Sequence, residues 1–264
     1  MKKLLALLLS CLCLLALVSC GGAEESSEAS VPEPPMKLKI ASYNIKNGAY
    51  VKHDFTILAE DLTRIDADIV GLQEVDMNTT RNGNQDTLAI LSENTPYKYY
   101  KFCHCIDHQG GEYGTAVMSK YPIVSFEITE LESFGLEQRA LGHAVIDVNG
   151  KNIDFFNTHL TYQEEEDETR AAQFITLAEE FSKCEKAIMT GDFNTPHFED
   201  FEPFGDIVMV NNYDTVLPSY EGADAIDNIL ATKGTNILDY GIDDELETAH
   251  SDHFLIWAIL ETPA

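Results

Sequence analysis

The sequence predicts an α/β domain in which two mixed β-sheets pack together and helices cover their outer faces. In both halves of the chain, apolar runs typical of strands alternate with amphipathic helical patterns. Between the halves, strand follows strand from residue 97 to residue 159, and Asn149-Gly150 predicts a hairpin turn. Because hairpins join antiparallel strands, we expect mixed sheets instead of a purely parallel one.

The individual elements follow from the spacing of apolar residues. The first part of the chain predicts a strand at residues 38–44, a helix capped by Asp54, a buried strand at 68–75 and a short helix ending at Leu91. Five further strands are expected at residues 97–103, 114–119, 123–129, 142–148 and 152–159. The last part predicts a helix over residues 168–183 and strands at 187–190, 225–231 and 253–260.

The N-terminus predicts export and membrane anchoring. Residues 1–19 begin with two lysines and continue as a Leu- and Ala-rich run that is too short for a transmembrane helix, which is typical of a signal peptide. Cys20 stands where such a signal should end and resembles the lipidated cysteine of bacterial lipoproteins; an ordinary cleaved signal is the alternative. Residues 20–36 predict a flexible tether, because Ala, Glu, Ser and Pro bury little surface. We therefore expect an extracytoplasmic, lipid-anchored protein with one domain at 37–264.

Composition limits the possible partners. The 264 residues are 44% hydrophobic, which is sufficient for a substantial core. The net charge of −28 opposes non-specific binding to nucleic acid, although a metal ion and a few arginines can offset it at one site. Cys103 and Cys105 flank His104, but no fourth ligand supports a zinc site. The charge excludes a general polyanion-binding protein without excluding a nuclease.

Polar side chains stand at the ends of several predicted strands. Asp192 and Asn194 follow an apolar run and, two residues apart in an extended segment, point to the same side. Taken singly, such residues are as often turn residues or structural histidines. Together they offer oxygen ligands of the kind that Mg²⁺ or Mn²⁺ prefers, with no cysteine nucleophile among them. The full set is Asn44, Glu74, His159, Asp192, Asn194, Asp252 and His253, and it predicts metal-assisted hydrolysis of phosphate esters.

The order of short motifs extends this prediction. The chain resembles the endonuclease/exonuclease/phosphatase superfamily over about residues 38–260, and this resemblance implies a four-layer α/β sandwich with two mixed sheets face to face. It depends on seven motifs in sequence: Tyr43-Asn44-Ile45, Leu72-Gln73-Glu74-Val75, residues 114–123, Asn157-Thr158-His159-Leu160, Gly191-Asp192-Phe193-Asn194, Ile226-Asp227-Asn228-Ile229 and Ser251-Asp252-His253.

The resemblance implies a metal site. Glu74 matches the principal Mg²⁺ ligand, Asn44 lies beside it, and Asp252 is expected near the metal. Lys46 departs from the pattern, because some nuclease members carry an acid there. We therefore expect a single Mg²⁺ centred on Glu74, with Mn²⁺ as a possible replacement.

The resemblance also implies the catalytic residues. Asp192 matches the carboxylate that orients or deprotonates the attacking water, and Asn194 the amide that holds the phosphate or the water. His253 matches a phosphate contact and His159 a second histidine that assists the leaving oxygen. Asp227 matches an acid that orients a histidine or assists the leaving group.

Three further residues are weaker candidates for the same site. Glu112 stands where DNase-like members carry a carboxylate that pairs with the second histidine. Arg139 and Arg81 are candidate phosphate contacts, although an exposed structural arginine is the simpler interpretation for at least one of them.

These predictions define a membrane-tethered, monomeric hydrolase of phosphoric esters that attacks phosphorus in line with water. The substrate is either a phospholipid-type headgroup or nucleic acid. The acidic surface and the absence of a basic and aromatic track favour the headgroup slightly. The alternative from another class is a non-catalytic surface lipoprotein, a binding protein or an adhesin, on the same fold.

Overall fold

Two six-stranded mixed sheets form the body of the domain. The computed structural model describes residues 34–162, 167–243 and 249–263, and these belong to one compact unit that begins at Pro34. The first sheet contains β1 (Met36–Asn44), β2 (Ile69–Met77), β3 (Tyr99–His108), β4 (Gly111–Ser119), β11 (Asn236–Ile242) and β12 (Ile256–Thr262), in the order β11-β12-β1-β2-β4-β3.

The second sheet has the order β5-β6-β7-β8-β10-β9. Its strands are β5 (Ile123–Glu130), β6 (Ala140–Val148), β7 (Lys151–His159), β8 (Ala187–Asp192), β9 (Ile207–Met209) and β10 (Asp227–Thr232). In each sheet one central pair is parallel, β1 with β2 and β7 with β8, and the other described pairs are antiparallel.

Three α-helices in the described ranges cover the outer faces. Helix α1 (Phe55–Ile65) begins at Asp54, whose carboxylate accepts from Thr56 N at 3.2 Å, as the sequence predicts. Helix α2 (Thr87–Asn94) packs beside α1 on the first sheet, and α3 (Asp167–Ser182) covers the second.

The alternation of side chains along each strand builds the four layers. Leu38 and Ile40 of β1 point into the core between the sheets, whereas Ala41 and Tyr43 point to the helices on the outer face. In β8, Ile188 points inward and Met189 packs against α3. The predicted four-layer sandwich is therefore confirmed.

A buried polar network crosses the core close to the functional rim. Gln73 Nε2 donates to Asn157 Oδ1 at 2.7 Å, and Thr190 Oγ1 donates to the same oxygen at 2.9 Å. Gly71 makes room for this network, because a Cβ there would lie 2.0 Å from Thr190 Oγ1 and 2.4 Å from Asn157 Oδ1. Polar contacts of this kind fix the lateral position of one sheet on the other.

The structure differs from the predicted elements at several places, and the short strand β9 was not predicted. The hairpin of β3 and β4 continues to a turn at Gln109-Gly110, beyond the predicted ends of both strands. Strand β11 was not predicted, because it is an edge strand whose residues are mostly half-exposed or exposed and lack apolar alternation. The last strand begins at Ile256 instead of residue 253, so Ser251, Asp252 and His253 lie in the loop that precedes it.

The predicted signal peptide, the lipidation site Cys20 and the tether up to residue 33 lie outside the described residues. Within the part of the chain that the structure describes, no helix is both long and apolar enough to cross a membrane. The anchoring of the chain remains a prediction.

Candidate active site

A cleft of about 380 Å³ opens at the rim where the carboxyl ends of β7 and β8 meet those of β1 and β2. Open α/β sheets commonly place ligands at such ends. The cleft brings together six residues that the sequence predicts, namely Glu74, Arg139, His159, Asp192, Asn194 and His253; Lys46, Tyr113, Glu137, Tyr162, Tyr220 and Ile226 complete its lining.

A β-bulge in β2 aims Glu74 at this cleft. The register between β2 and β4 shifts between Leu72 and Val75, and Glu74 has a positive φ of 53°. Such a backbone is unfavourable for a residue other than glycine and is found most often where a side chain must be re-aimed. The bulge explains why a carboxylate can leave an otherwise buried strand at this point.

Asn44 connects the proposed metal ligand to the proposed base. Its Nδ2 donates to Glu74 Oε1 at 3.1 Å and to Asp192 Oδ2 at 2.9 Å, and its Oδ1 accepts from the backbone nitrogen of Lys46 at 3.0 Å. The amide of Asn44 therefore positions two carboxylates from different sheets, and one lone pair of its oxygen remains for a cation.

The residues predicted to hold a divalent cation fit that task. Lys46 Nζ lies 3.4 Å from Glu74 Oε1 and 3.1 Å from Asp252 Oδ2, so a positive charge already sits between the two carboxylates. Burial alone would lower the pKa of Lys46, but Glu74 and Asp252 outweigh it and raise this pKa. Oxygen donors around a cation are the chemistry that Mg²⁺ requires.

Asp192 lies at the centre of the cleft. It faces His159 in the parallel pair of β7 with β8 and Asp227 in the antiparallel pair of β8 with β10. Its Oδ2 lies 3.5 Å from His159 Nε2 and 3.6 Å from His253 Nε2. Burial and the neighbouring Asp227 raise the pKa of Asp192 to about 7, against the opposing effects of His253 and Asn44. A carboxyl with that pKa can accept a proton near neutral pH.

His253 is held as a cation by a buried carboxylate. Its Nδ1 donates to Asp227 Oδ2 at 2.8 Å, and Ser219 Oγ donates to the same oxygen at 2.6 Å. Burial alone would lower the pKa of His253, but Asp227 and Asp192 outweigh it and raise the pKa to about 10. The possible ligand atoms of Asp192, Asp227 and His253 lie within 4.8 Å of one another, which is close enough for a metal site. Because His253 Nδ1 is already hydrogen-bonded to Asp227, we assign these three residues to acid–base chemistry instead.

His159 has the opposite electrostatic surroundings. Its Nδ1 lies 3.1 Å from Arg139 Nη1, and the Arg139 guanidinium is buried and also contacts Glu137 Oε1 at 3.1 Å. Burial lowers the pKa of His159, and the positive charges of Arg139, His253 and Lys46 lower it further. The pKa values of the two histidines that face Asp192 are thus shifted in opposite directions.

The structure does not place Glu112 beside His159, which corrects that expectation. Its side chain is 49% exposed and lies 3.8 Å from His104 Nε2. The neighbouring Tyr113 lines the cleft, and successive residues of a strand point to opposite faces, so Glu112 must face away. Arg139 takes the position next to His159 instead.

Arg81 also lies outside the cleft. Its guanidinium forms two hydrogen bonds with the buried carboxylate of Asp76, at 2.6 and 2.7 Å, which is a structural pairing. Asn194 lines the cleft, and its Nδ2 donates to the carbonyl of Leu160 at 2.9 Å. The backbone nitrogen of Asn194 donates to Asp192 Oδ1 at 3.0 Å and thereby orients the proposed base.

The family follows from a comparison with known proteins. The model of the endonuclease/exonuclease/phosphatase family matches residues 41–253. The chain belongs to the endonuclease/exonuclease/phosphatase family. This family contains metal-dependent phosphoesterases and nucleases, and the resemblance seen in the motif order is confirmed.

Relatives of this family member are distant in sequence. YbhP of Escherichia coli (strain K12), an uncharacterized protein, is 28% identical over 173 residues, and the match covers 59% of this chain. It covers 66% of YbhP, so the chain spans slightly less than two thirds of that relative's length.

Solved structures of low sequence identity share the fold. An endonuclease/exonuclease/phosphatase from Beutenbergia cavernae has a TM-score of 0.70 and 18% identity, covering 86% of this chain and 72% of that one. The human nocturnin catalytic domain with bound sulfate has a TM-score of 0.70 and 20% identity, covering 87% and 94%. A mannosyl-6-phosphatase from Bacteroides thetaiotaomicron has a TM-score of 0.66 and 19% identity, covering 84% and 99%.

Several residues that lie in or next to the cleft were not predicted from the sequence. Ser219 bonds the carboxylate of Asp227, the ring of Tyr220 lies 4.9 Å from that of His253, and Glu137 bonds Arg139. None of them stands in a strand-end motif, so the sequence offers no signal for them. Lys46 is visible in the sequence only as a departure from the family pattern.

Proposed function

We propose that this protein is a Mg²⁺-dependent hydrolase of phosphoric diesters that uses in-line attack of water. The observation that supports it best is the position of Asp192, a buried carboxyl with a raised pKa that is connected through Asn44 to Glu74 and faces two histidines. Such a base beside a cation site is suited to preparing water for attack on phosphorus.

Each residue has a task in the proposed reaction. Asp192 accepts the proton of the attacking water, and the backbone nitrogen of Asn194 fixes the orientation of the carboxylate. The imidazolium of His253, held by Asp227, places its Nε2–H toward a non-bridging oxygen and stabilises the charge that develops there. Asn194, which also lines the cleft, would hold the phosphate through its side-chain amide.

Glu74, Asp252 and the free lone pair of Asn44 would hold the cation. A bound Mg²⁺ or Mn²⁺ supplies charge neutralisation at the phosphoryl group, which is the usual contribution of a hard cation in phosphoryl chemistry. Because Lys46 takes the position of a further acid, a single cation is proposed.

We infer a small phosphoester substrate instead of a polymer. A cleft of about 380 Å³ suits one phosphate with its substituent, and the net charge of −28 opposes long-range attraction of nucleic acid. The proposed substrate is a phospholipid-type headgroup, with nucleic acid as the second candidate because this family contains nucleases. The mannosyl-6-phosphatase on the same fold is a reason to include phosphomonoesters in any test.

The proposed location is the outer surface of the cytoplasmic membrane, with a lipid on Cys20 and residues 20–36 as the tether. It is supported by the apolar N-terminal run that ends directly before this cysteine. A Cys20→Ala variant expressed in a bacterial host should be found free of the membrane fraction, whereas the unchanged chain should sediment with it.

The decisive experiment for activity compares hydrolysis of a bis-aryl phosphodiester by the purified protein with Mg²⁺ and with EDTA. Plasmid DNA, sphingomyelin, a phosphoinositide and a sugar phosphate are then tested in parallel. We expect turnover that requires the cation, and a decrease on the order of 10²- to 10⁴-fold in Asp192→Asn, the range that a general base contributes.

The matched control is Glu112→Gln, which removes a carboxylate of the same domain outside the cleft. Wild-type protein that hydrolyses none of these esters with any divalent cation contradicts the proposed function and supports the non-catalytic lipoprotein. Full activity of Asp192→Asn contradicts the assignment of the base.

A further inference from the structure

The two ring nitrogens of His159 meet partners of different kinds. Nδ1 lies 3.1 Å from Nη1 of Arg139, and Nε2 faces Asp192 Oδ2 at 3.5 Å. A guanidinium offers only N–H donors and stays charged at all relevant pH values. Nδ1 must therefore accept this hydrogen bond, and the proton of the neutral ring lies on Nε2.

Arg139, which donates to His159 Nδ1, is held firmly in place. Arg139 is 4% exposed, and its Nη2 contacts Glu137 Oε1 at 3.1 Å. Its contacts to Glu137 and His159, together with its burial, hold the guanidinium in place, while its Nε is buried without a partner among the described residues. Arg139 stands just before β6 and His159 at the end of β7, two elements whose backbones pair directly.

Three positive charges near His159 favour the neutral ring. Arg139 approaches from the β6 side, Lys46 from the first sheet and the imidazolium of His253 from the last loop. Among the described residues, a carboxylate that contacts the ring is Asp192, whose Oδ2 lies 3.5 Å from Nε2. Burial and the three positive charges lower the pKa of His159 well below its usual value.

We propose that Arg139 is a positioning residue that holds His159 as a neutral imidazole with its proton on Nε2. His159 then donates a hydrogen bond to a phosphoryl oxygen and does not transfer a proton to the leaving oxygen. This proposal rests on the proposed function. It replaces the expectation that the carboxylate of Glu112 pairs with His159, a pairing that would have favoured the imidazolium.

His159 in this state cannot supply a proton to the leaving oxygen. A general acid must carry a proton that it can lose to give a stable base. The doubly protonated ring would place an Nδ1–H against the guanidinium donors, and loss of the proton from neutral Nε2 would leave a buried imidazolate anion. The leaving oxygen must therefore depart without a proton from His159, so turnover should depend strongly on the pKa of the leaving group.

The first test reads the state of the ring without any turnover. The full chain labelled with ¹⁵N-histidine is studied by NMR with and without Mg²⁺, and the signals of His159 are assigned by their loss in His159→Gln. We expect a protonated Nε2 and an unprotonated Nδ1 that do not change through neutral pH. A ring protonated on Nδ1, or one that becomes doubly protonated near its usual pKa, overturns the proposal.

Arg139→Met removes the donor to Nδ1 and one of the three positive charges, so the proton should no longer be confined to Nε2 and the pKa of His159 should rise, while burial still keeps it below its usual value. Glu112→Gln is the control and should leave the signals unchanged, because Glu112 contacts His104. Since Arg139 is buried, its replacement could prevent folding, but the measurement on the wild-type chain decides the proposal by itself.

The second test uses phosphodiesters that differ only in the pKa of the leaving phenol or alcohol. His159→Gln should lower kcat by the same factor, on the order of 10²-fold, for every ester, as expected for loss of one hydrogen-bond donor to the phosphoryl group. A loss that grows as the leaving group becomes more basic identifies a proton donor and overturns the proposal. Absence of hydrolysis by the wild type would contradict the proposed function alone, because the NMR result does not depend on it.

Discussion

Lys46 offers a quantitative test of the cation site. Its ammonium lies 3.4 Å from Glu74 Oε1 and 3.1 Å from Asp252 Oδ2, the two carboxylates proposed to bind the divalent cation. A cation that binds them must displace Lys46 from both. Lys46→Met keeps an unbranched apolar stem and removes the charge, so we expect tighter binding of Mg²⁺ and Mn²⁺.

The size of the expected change in metal affinity follows from the solvent exposure of Lys46. Its side chain is 38% exposed, so each ion pair is comparable to a surface pair and contributes about 0.2–1 kcal/mol. Two such pairs cost the incoming cation about 0.4–2 kcal/mol in total. Since about 1.4 kcal/mol corresponds to a factor of ten, the dissociation constant should decrease by roughly 2- to 30-fold.

The assay is calorimetric titration of the metal-free full chain with MgCl₂ and MnCl₂ at low ionic strength. Lys46→Arg keeps the charge and should bind nearly as the wild type does. Lys120→Met removes a lysine paired with Asp66 at 2.6 Å, far from the cleft, and should not change the affinity. Equal or weaker binding in Lys46→Met would falsify the view that Lys46 competes with the cation.

Three further predictions follow from the structure. Asp192 has a pKa of about 7 and must lose its proton, so kcat/KM should rise as the pH increases through 7. His253 has a pKa of about 10 and must keep its proton, so kcat/KM should fall above pH 10. A pH profile that is flat through neutral pH contradicts these roles. Gly71→Ala should destabilise the domain by about 1–3 kcal/mol in urea unfolding, because its Cβ would collide with Thr190 Oγ1, and an unchanged midpoint argues against that contact. Glu112→Gln should leave kcat/KM unchanged, because Glu112 lies outside the cleft. A large decrease in kcat/KM would indicate that Glu112 acts at the active site.

Local patterns predicted most of the fold and most of the strand-end residues. The apolar run before Asp192 correctly predicts a buried strand that ends at this residue, whereas Asn194 lies beyond the strand with a positive φ of 51°, so the two residues reach the cleft without sharing an extended segment. Strand β11 escaped prediction because an exposed edge strand carries no apolar alternation. Glu112 was misplaced because a shift of one residue along a strand exchanges the two faces, and only the pairing of β4 shows that Tyr113 is the residue that faces the cleft.

The partners of the polar side chains could not be predicted in the same way. Arg139 was expected to contact the phosphate, and no local pattern shows that its guanidinium meets the Nδ1 of His159, twenty residues away. Asn44 was expected only to ligate the metal. In the structure its side-chain nitrogen also donates hydrogen bonds to Glu74 and to Asp192, and Asp192 lies 148 residues further along the chain than Asn44.

The sequence by itself determined the alternation of strands and helices, the apolar faces that form the core, and the set of carboxylates, amides and histidines at the strand ends. These properties depend on the identity and spacing of neighbouring residues. Only the tertiary structure decided which of those groups meet, and thus that the pKa of His253, paired with Asp227, is raised whereas the pKa of His159, buried beside Arg139, is lowered. The physical reason is that the charge of a buried group depends on the distances to its partners, and those distances are set by the packing of two sheets.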